Sequence, residues 1–451
     1  MYPGQRWTPE RITRGTSNLT RVVLLAMLAA AAAAMCSGAL AADDQKKFAN
    51  DPRANVRDVG PAGRWHMVRD ATAGRMNDKQ RAEIRRLESL GYLSGSTPMP
   101  DDTGIVYIEP DRVSPGLNFF TSGHFAGAVL MDQYGEVLHE WEYDFLSAWP
   151  DREEDADADG SEYWRWAYLF ENGDVLAIFE GLGLIKVDKD SRLLWAHDGG
   201  EHHDLEVMED GTIYALTRKA HVVREIARLP ILEDFVTILD PQGNVIREVS
   251  ILAAFANSAF APAPEARNRP ARGDLFHTNA IEVLDGSLAN RIPAFSRGNV
   301  LLSMRQLSSI AVLDMSTEQI VWVSSGMWLE QHDPKVLDNG NIMLFDNKGD
   351  DGKSKIVEFD PVTLELEWAY RGTHECVFFT MMCGASHRLP NGNTIISESD
   401  YGRAFEVTPS GEIVWEFLNP NRAGESGDLI ATLFDVQRLP PDFPTDWLDR
   451  R

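Results

Sequence analysis

Residues 336–368 read VLDNGNIMLFDNKGDDGKSKIVEFDPVTLELEW. An apolar run meets the turn Asn339-Gly340, a second run follows, then a strand ending in Phe-Asp, then a last strand ending in Trp368. Asn-Gly between apolar runs is a hairpin signal, because both central residues of a tight turn need φ > 0. The same grammar recurs in Ala167–Trp195 and in Leu389–Trp415. Ile281–Trp322 repeats it with an insertion around Ala289–Arg297, and Val207–Arg247 repeats it with Arg247 in the Trp place. Val129–Trp141 (VLMDQYGEVLHEW) is the closing half of a further unit.

Four strands per unit, at a spacing of about forty to fifty residues, is the spacing of propeller blades. The expected fold class is therefore all-β, a six-bladed β-propeller over residues 104–451. Its first unit is partly built from chain near the N-terminus. A β-sandwich or several small β domains is the alternative, and the recurring turn-to-Trp grammar argues against it. Phe255–Gly273 (FANSAFAPAPEARNRPARG) reads as a long surface connection near the site face.

Ahead of the repeats, Arg6, Arg11, Arg14 and Arg21 form a basic segment, Val22 to Met35 is an unbroken apolar run, and Ala39-Leu40-Ala41 fits a processing site. Residues 1–42 are read as a signal peptide or a retained signal anchor, since Val22–Ala42 carries no charge. A lipid on Cys36 is disfavoured by the bulk of Met35. Each version places residues 43 onward outside the cytoplasm, periplasmic or otherwise exported. Membrane contact follows only if the segment is kept. Residues 43–103 read as an N-terminal extension with one helix, Asp78–Tyr92, where Ile84, Leu87 and Leu90 share a face and Gly91 ends it.

Composition excludes several classes. Across 451 residues, 69 Asp+Glu against 43 Lys+Arg leave a net charge of -26, which argues against a nucleic-acid partner. A hydrophobic content of 43% and 12 Trp exclude a disordered chain, and 3 Cys exclude a disulfide-built mini-protein.

The repeat superposes positions without a structure. His203 lies eight residues before the turn glycine Gly211, and His332 eight before Gly340. In the fourth unit (HTNAIEVLDG) Asn279 takes nearly the same place, with His277 two residues ahead. The first strand of a blade lines the central channel. Residues at its start therefore gather at one mouth, and Arg305, after the second strand of the fourth unit, leans into the same space. His387 lies three residues further along its strand. Such a cluster suits a metal or an anion. The arginine favours an oxyanion, because a fixed positive charge opposes a cation and guanidinium offers forked donors.

These residues resemble the bacterial arylsulfate sulfotransferase family, the type that needs no nucleotide sulfate donor. The matching segments are FHTNAIEVL, NVLLSMRQLSSIAVLD, QHDPKVLDNGNIMLFDN and HHDLEVMEDG, and the resemblance runs from Gly116 to Pro420. It implies a propeller with its site at the channel mouth. His332 matches the histidine that is transiently sulfated, His277 and Asn279 the family's His-x-Asn pair, and Arg305 the sulfate-binding arginine. His203 matches a further site histidine, with His202 beside it as the alternative. The implied substrates are phenols and aryl sulfates, with no cofactor. The chain departs from the family's long members in two ways. Residues 43–103 are too short for their N-terminal β-domain, which leaves oligomeric state open, and the Ala/Pro-rich insertion precedes His277.

The implied reaction is two-step transfer through a sulfohistidine, with His277 or His203 as general acid and base. Phe276, Trp328, Phe378 and Phe379 offer rings either to phenols or to the core. Cys376 and Cys383 are close enough in sequence to form a disulfide in an oxidising compartment. Asp155, Asp157 and Asp159 make half a calcium loop whose twelfth position is Trp166, so a solvated acidic loop is the competing reading. A non-catalytic ligand- or partner-binding propeller and a His-ligated metal-dependent hydrolase or lyase are the rival functions.

Overall fold

The computed structural model describes residues 94–448 apart from 157, 224–229, 261–272, 351, 373–377 and 425. The export segment, the helix Asp78–Tyr92, Cys376, Asp157 and most of the Phe255–Gly273 connection lie outside the described residues.

The described chain is almost entirely β. Six sheets of four or five strands follow one another along the sequence, with a small three-stranded sheet beside them. The second sheet is typical: Trp166–Leu169, Val175–Phe179, Gly183–Val187 and Leu193–His197 pair antiparallel in chain order. The leading strands of the third to sixth sheets are Glu201–Val207, Thr278–Val283, His332–Val336 and Ala385–Arg388. The first sheet takes its leading strand from the far end of the chain. Leu433–Arg438 pairs with Asn118–Ser122, ahead of Gly127–Met131 and Val137–Glu142. The sequence reading did not place that C-terminal strand. Gly104–Ile108 in turn adds a fifth strand to the outer edge of the sixth sheet. Both ends of the chain thus close the same junction.

Each sheet packs face to face on the next, and one hydrophobic core fills every junction. Val175–Phe179 shows how sequence serves this packing. Val175, Ala177 and Phe179 enter the core shared with the first sheet, while Leu176 and Ile178 enter the core shared with the third. A strand buried on both faces reads as an unbroken apolar run, which is why these segments lack alternation. Phe120 and Val129 of the first sheet meet Trp415 and Phe417 of the sixth, so the sheets form a closed, propeller-like ring.

The terminal tryptophans have a specific task. Trp141 Nε1 donates to the Gly173 carbonyl 3.0 Å away, Trp195 to Pro241 at 3.2 Å, and Trp368 to Pro409 at 2.8 Å. Each reaches from the outer strand of one sheet to a turn of the next. Trp415 closes the circle on Gln133 of the first sheet at 2.8 Å. Arg247 fills the Trp place in the third unit and pairs with Glu318 of the fourth at 2.6 Å.

The inner edges are joined by carboxylates. A leading strand is an edge whose amides need partners once buried. Asp204 accepts from Ile281 N at 2.9 Å, Glu282 from Val336 N at 2.9 Å, and Asp333 from Ser386 N at 2.9 Å. Lys335 sits among these acids, and their charge outweighs burial and raises its pKa. Burial in turn pushes Asp204 up to about 6 and Glu282 to about 7.

Candidate functional site

The site lies where the leading strands begin. Three of these strands are irregular there, with register shifts between Glu201 and Leu205, Thr278 and Ala280, and His332 and Lys335. His203 (φ 58), His277 (φ 48), Glu330 (φ 55) and Asp333 (φ 49) adopt left-handed backbone there. Bulges re-aim side chains, and a non-glycine residue in this region costs about 1–3 kcal/mol that the surrounding packing must offset. A cavity of about 490 Å³ follows the ring interior and is lined by His203, Asn279, His332, Arg165 and His387 among others.

His332 is buried, and its Nδ1 lies 2.8 Å from Asn347 Oδ1. Asn347 is oriented by its own amide, whose Nδ2 donates to the carbonyls of Thr380 at 3.1 Å and Cys383 at 2.6 Å. Its oxygen must therefore face His332 and accept, so the His332 proton sits on Nδ1. Nε2 is left with a lone pair, buried and without a hydrogen-bond partner. Burial and the charge of Arg305 hold His332 well below the ordinary histidine range. The ring is neutral at physiological pH and presents an unprotonated nitrogen.

Arg305 follows Val300–Met304 in a short turn, and its backbone N–H donates to the His277 carbonyl at 3.2 Å. Its Nη2 pairs with Glu330, which also holds Lys348 at 2.8 Å, while its buried Nε makes no hydrogen bond. Asn279 Nδ2 donates to the Gln331 carbonyl at 2.9 Å, which ties the fourth strand start to the residue before His332. Asn279 Oδ1 is buried without a partner. His332 Nε2, Arg305 Nε and Asn279 Oδ1 thus each keep unfilled hydrogen-bonding capacity.

The histidine pair 202/203 resolves by position. His203 lines the cavity, and its Nε2 is 3.2 Å from His277 Nε2. His202 lies behind it, Nδ1 to Nδ1 at 2.7 Å, and is buried. Burial, with the Arg218 guanidinium adding to it, lowers both their pKa values well below the ordinary range. His277 is anchored by Asp274, whose two oxygens meet its backbone N–H at 2.9 Å and its Nδ1 at 2.5 Å. His387 stands apart, further along the cavity, with Nε2 2.8 Å from Asp435. Burial opposes its charge, but Asp435 and Asp333 hold it up at about 9.

Phe276, Trp328 and Phe378 take the second of the two places open to them. They are core residues packed on Phe255, Phe359 and Phe405 respectively. Cys383 is buried against Tyr163 and Phe434, and its expected disulfide partner Cys376 lies outside the described residues. Asp155 is held by Arg152 at 2.6 Å, so its carboxylate is already matched by a cation. Sequence reasoning missed Asn347, Asp274, Glu180 and Arg165. Asn347 ends the quoted LFDN segment, late in the second strand of its sheet (Ile342–Asp350), and that placement was the available signal.

Glu180, His202 and His203 offer ligand atoms within 4.8 Å of one another. Arg218 lies 3.2 Å from Glu180, so a guanidinium already supplies positive charge beside this donor set.

Residues 167–420 match the family model described as arylsulfotransferase (ASST). No curated protein matches the chain. Among solved structures it is similar to a Bacteroides caccae protein of unknown function, with 12% identity, a TM-score of 0.45, and coverage of 71% of this chain and 98% of that one. It is also similar to a streptogramin B lyase, with 14% identity, a TM-score of 0.40 and coverage of 77% and 98%. A third is the Cps50 (Swd1) β-propeller domain of Myceliophteria thermophila, with 12% identity, a TM-score of 0.44 and coverage of 71% and 91%.

Proposed function

The chain belongs to the arylsulfotransferase family, and from that premise we propose that it moves a sulfuryl group from an aryl sulfate ester to a phenol through a sulfated His332, with no nucleotide donor. Sulfotransfer is the activity the family model supports, and small aryl compounds are the substrates it implies. The ring of sheets is read as a six-bladed propeller, and the enzyme as an exported one carrying residues 1–42 as signal or anchor.

The observation that carries the mechanism is the His332 tautomer. Asn347 holds the Nδ1 proton, and the Nε2 lone pair faces no partner. Attack of Nε2 on sulfur forms the N–S bond, breaks the S–O bond and sends the electron pair to the phenol oxygen. The product ring carries positive charge beside its own SO3 group, which makes it a good leaving group for the second step. Sulfuryl transfer resembles phosphoryl transfer, with a loose transition state and charge on the peripheral oxygens. Arg305, whose Nε–H has no partner, is the donor assigned to those oxygens, and one such donor is typically worth about 3 kcal/mol of barrier. Arg165 adds positive charge in a protein that is otherwise strongly acidic, which favours an anionic donor locally. His203, with His277 behind it, supplies and recovers the phenol proton.

The test is 4-nitrophenyl sulfate turnover with an added phenol, in wild type and in His332→Asn, with mass analysis of the quenched enzyme. Sulfated His332 in the wild type and no turnover in the variant are expected. Full turnover in the variant would refute the assignment.

A further inference from the structure

Behind His203 stand a second imidazole and a buried carboxyl group to which the reaction above gives no part. The carboxylate of Asp274 accepts from His277 Nδ1, and the relay set out below takes the His277 Nε2 lone pair to face His203 Nε2 across 3.2 Å. A neutral His203 then donates through Nε2 and has a bare Nδ1. That atom accepts the Nδ1–H of His202 at 2.7 Å. One proton per gap fixes the rest: His202 Nε2 is also bare. It is buried, has no hydrogen-bond partner, and lies 3.8 Å from Asp234 Oδ1. The other oxygen of Asp234 accepts from Thr278 N at 2.9 Å, so Oδ1 is the one left to hold a proton.

We propose that His203, His202 and Asp234 form a relay that passes a proton between the reacting phenol oxygen and a carboxyl group inside the wall of the ring. The proposal rests on the sulfotransfer reading of this site and extends it to two residues that touch no substrate.

The protons balance as follows. When the S–O bond of the donor breaks, the phenol oxygen replaces His277 Nε2 as the acceptor and takes the Nε2 proton of His203. His203 Nδ1 takes the proton of His202 Nδ1, and His202 Nε2 takes the proton of Asp234. Neutral phenol leaves, and the wall carboxyl is anionic. When the acceptor phenol attacks sulfohistidine, its proton enters at His203 Nε2 and every transfer reverses. One proton is stored in the wall for one turnover. The gap of 3.8 Å is about 1 Å longer than a hydrogen bond, so a small rotation of either side chain must close it.

The surroundings suit this task. Burial, reinforced by Asp274, pushes the Asp234 carboxyl well above the usual carboxylate range, which favours the protonated form the relay needs. The charged groups facing the relay come from every adjoining element. Asp274 and His277 stand beside Asp234, Glu180 lies 3.4 Å from His203 Nδ1, and Arg218 lies 3.2 Å from Glu180. Arg165 acts on His203 from the cavity side. Glu180 also accepts from the His203 backbone N–H at 3.0 Å, which keeps the strained turn in place.

The experiment follows release of phenol in the first turnover from two donors, one with an acidic leaving phenol (4-nitrophenyl sulfate) and one with a basic one (phenyl sulfate). Wild type, Asp234→Asn and His202→Gln are compared. Asn keeps an acceptor for Thr278 N while removing the acidic proton. Proton donation matters most for the basic leaving group, and a positioned acid contributes about 10²-fold or more. The expected result is a loss of about 10²-fold for phenyl sulfate with a much smaller loss for 4-nitrophenyl sulfate. Asp234→Glu restores the wild-type ratio. Equal slowing of both donors, or no slowing, in the variants that fold overturns the relay. If Asp234→Asn fails to fold, His202→Gln decides alone. These outcomes are distinct from failure of the underlying reading, which shows as a wild type with no sulfated His332.

Discussion

His332 Nδ1 lies 2.8 Å from Asn347 Oδ1, and the Asn347 amide is committed to two backbone carbonyls on the far side. A carboxamide that cannot turn over fixes a proton that cannot move. His332, the proposed nucleophile, is therefore oriented by an uncharged neighbour rather than by a carboxylate. An aspartate there would draw the ring toward the imidazolium form, whereas asparagine orients it and leaves it neutral.

Replacement of Asn347 by Leu removes the acceptor while roughly keeping shape. Loss of ring orientation and tautomer control is expected to lower kcat between about 10²- and 10⁴-fold, the range seen when an oriented donor or the correct tautomer is lost. KM for the donor should change far less. Single-turnover formation of sulfohistidine measures this directly.

The pH profile carries a second prediction. Burial and Arg305 lower the pKa of His332, so its protonation needs a more acidic solution than that of a free histidine. The kcat/KM profile should show no His332 limb near pH 6.5, where a free imidazole titrates. Arg305→Gln removes a positive charge, so the acid limb moves to higher pH while the plateau falls. A limb that stays in place in that variant would contradict the electrostatic account.

Glu282 links the inner wall to stability. Its pKa is raised from 4.5 to about 7, chiefly by burial. The folded state then binds the proton more tightly than the unfolded state. Stability from this group is fully present below about pH 4.5 and is lost as pH rises toward 7. Glu282→Gln mimics the protonated form and keeps an acceptor for Val336 N. Its Tm advantage over wild type should widen through that window and level off above it.

Trp415 joins the last sheet to the first. Trp415→Ala removes a fully buried ring and the bond to the Gln133 carbonyl. A loss of about 3–5 kcal/mol is expected from large-to-small replacement in a core. Trp415→Phe isolates the hydrogen bond, worth about 1 kcal/mol, together with a smaller packing change. Denaturant midpoints at constant m-value test both.

Much of this was legible in the sequence because repetition converts spacing into geometry. The turn glycines Gly211 and Gly340 set a common origin, and counting back from them found His203 and His332. The tryptophan places were visible, and so was Arg247 standing in for one of them. What counting could not provide lies in the irregular starts of the leading strands. The left-handed backbone at His203 and His277 decides which face each imidazole takes, so sequence left His202 and His203 interchangeable. The aromatic residues stay ambiguous in the sequence for a related reason. Phe276 and Trp328 sit beside site residues in sequence, but their strands and turns direct them into the junction cores. Asp234 and Asp274 come from a different part of the third unit, and only pairing of Gly273–Asp274 with Ile231–Leu239 brings them to the histidines.

The strand Leu433–Arg438 has one further consequence, for biosynthesis. Every residue assigned to the chemistry is made well before it, yet the first sheet has no inner strand until those late residues emerge. A prematurely terminated product would carry His332, Arg305 and Asn347 and still lack a shut barrel wall to hold them. Competence is thus withheld from the growing polypeptide until Leu433–Arg438 has been made.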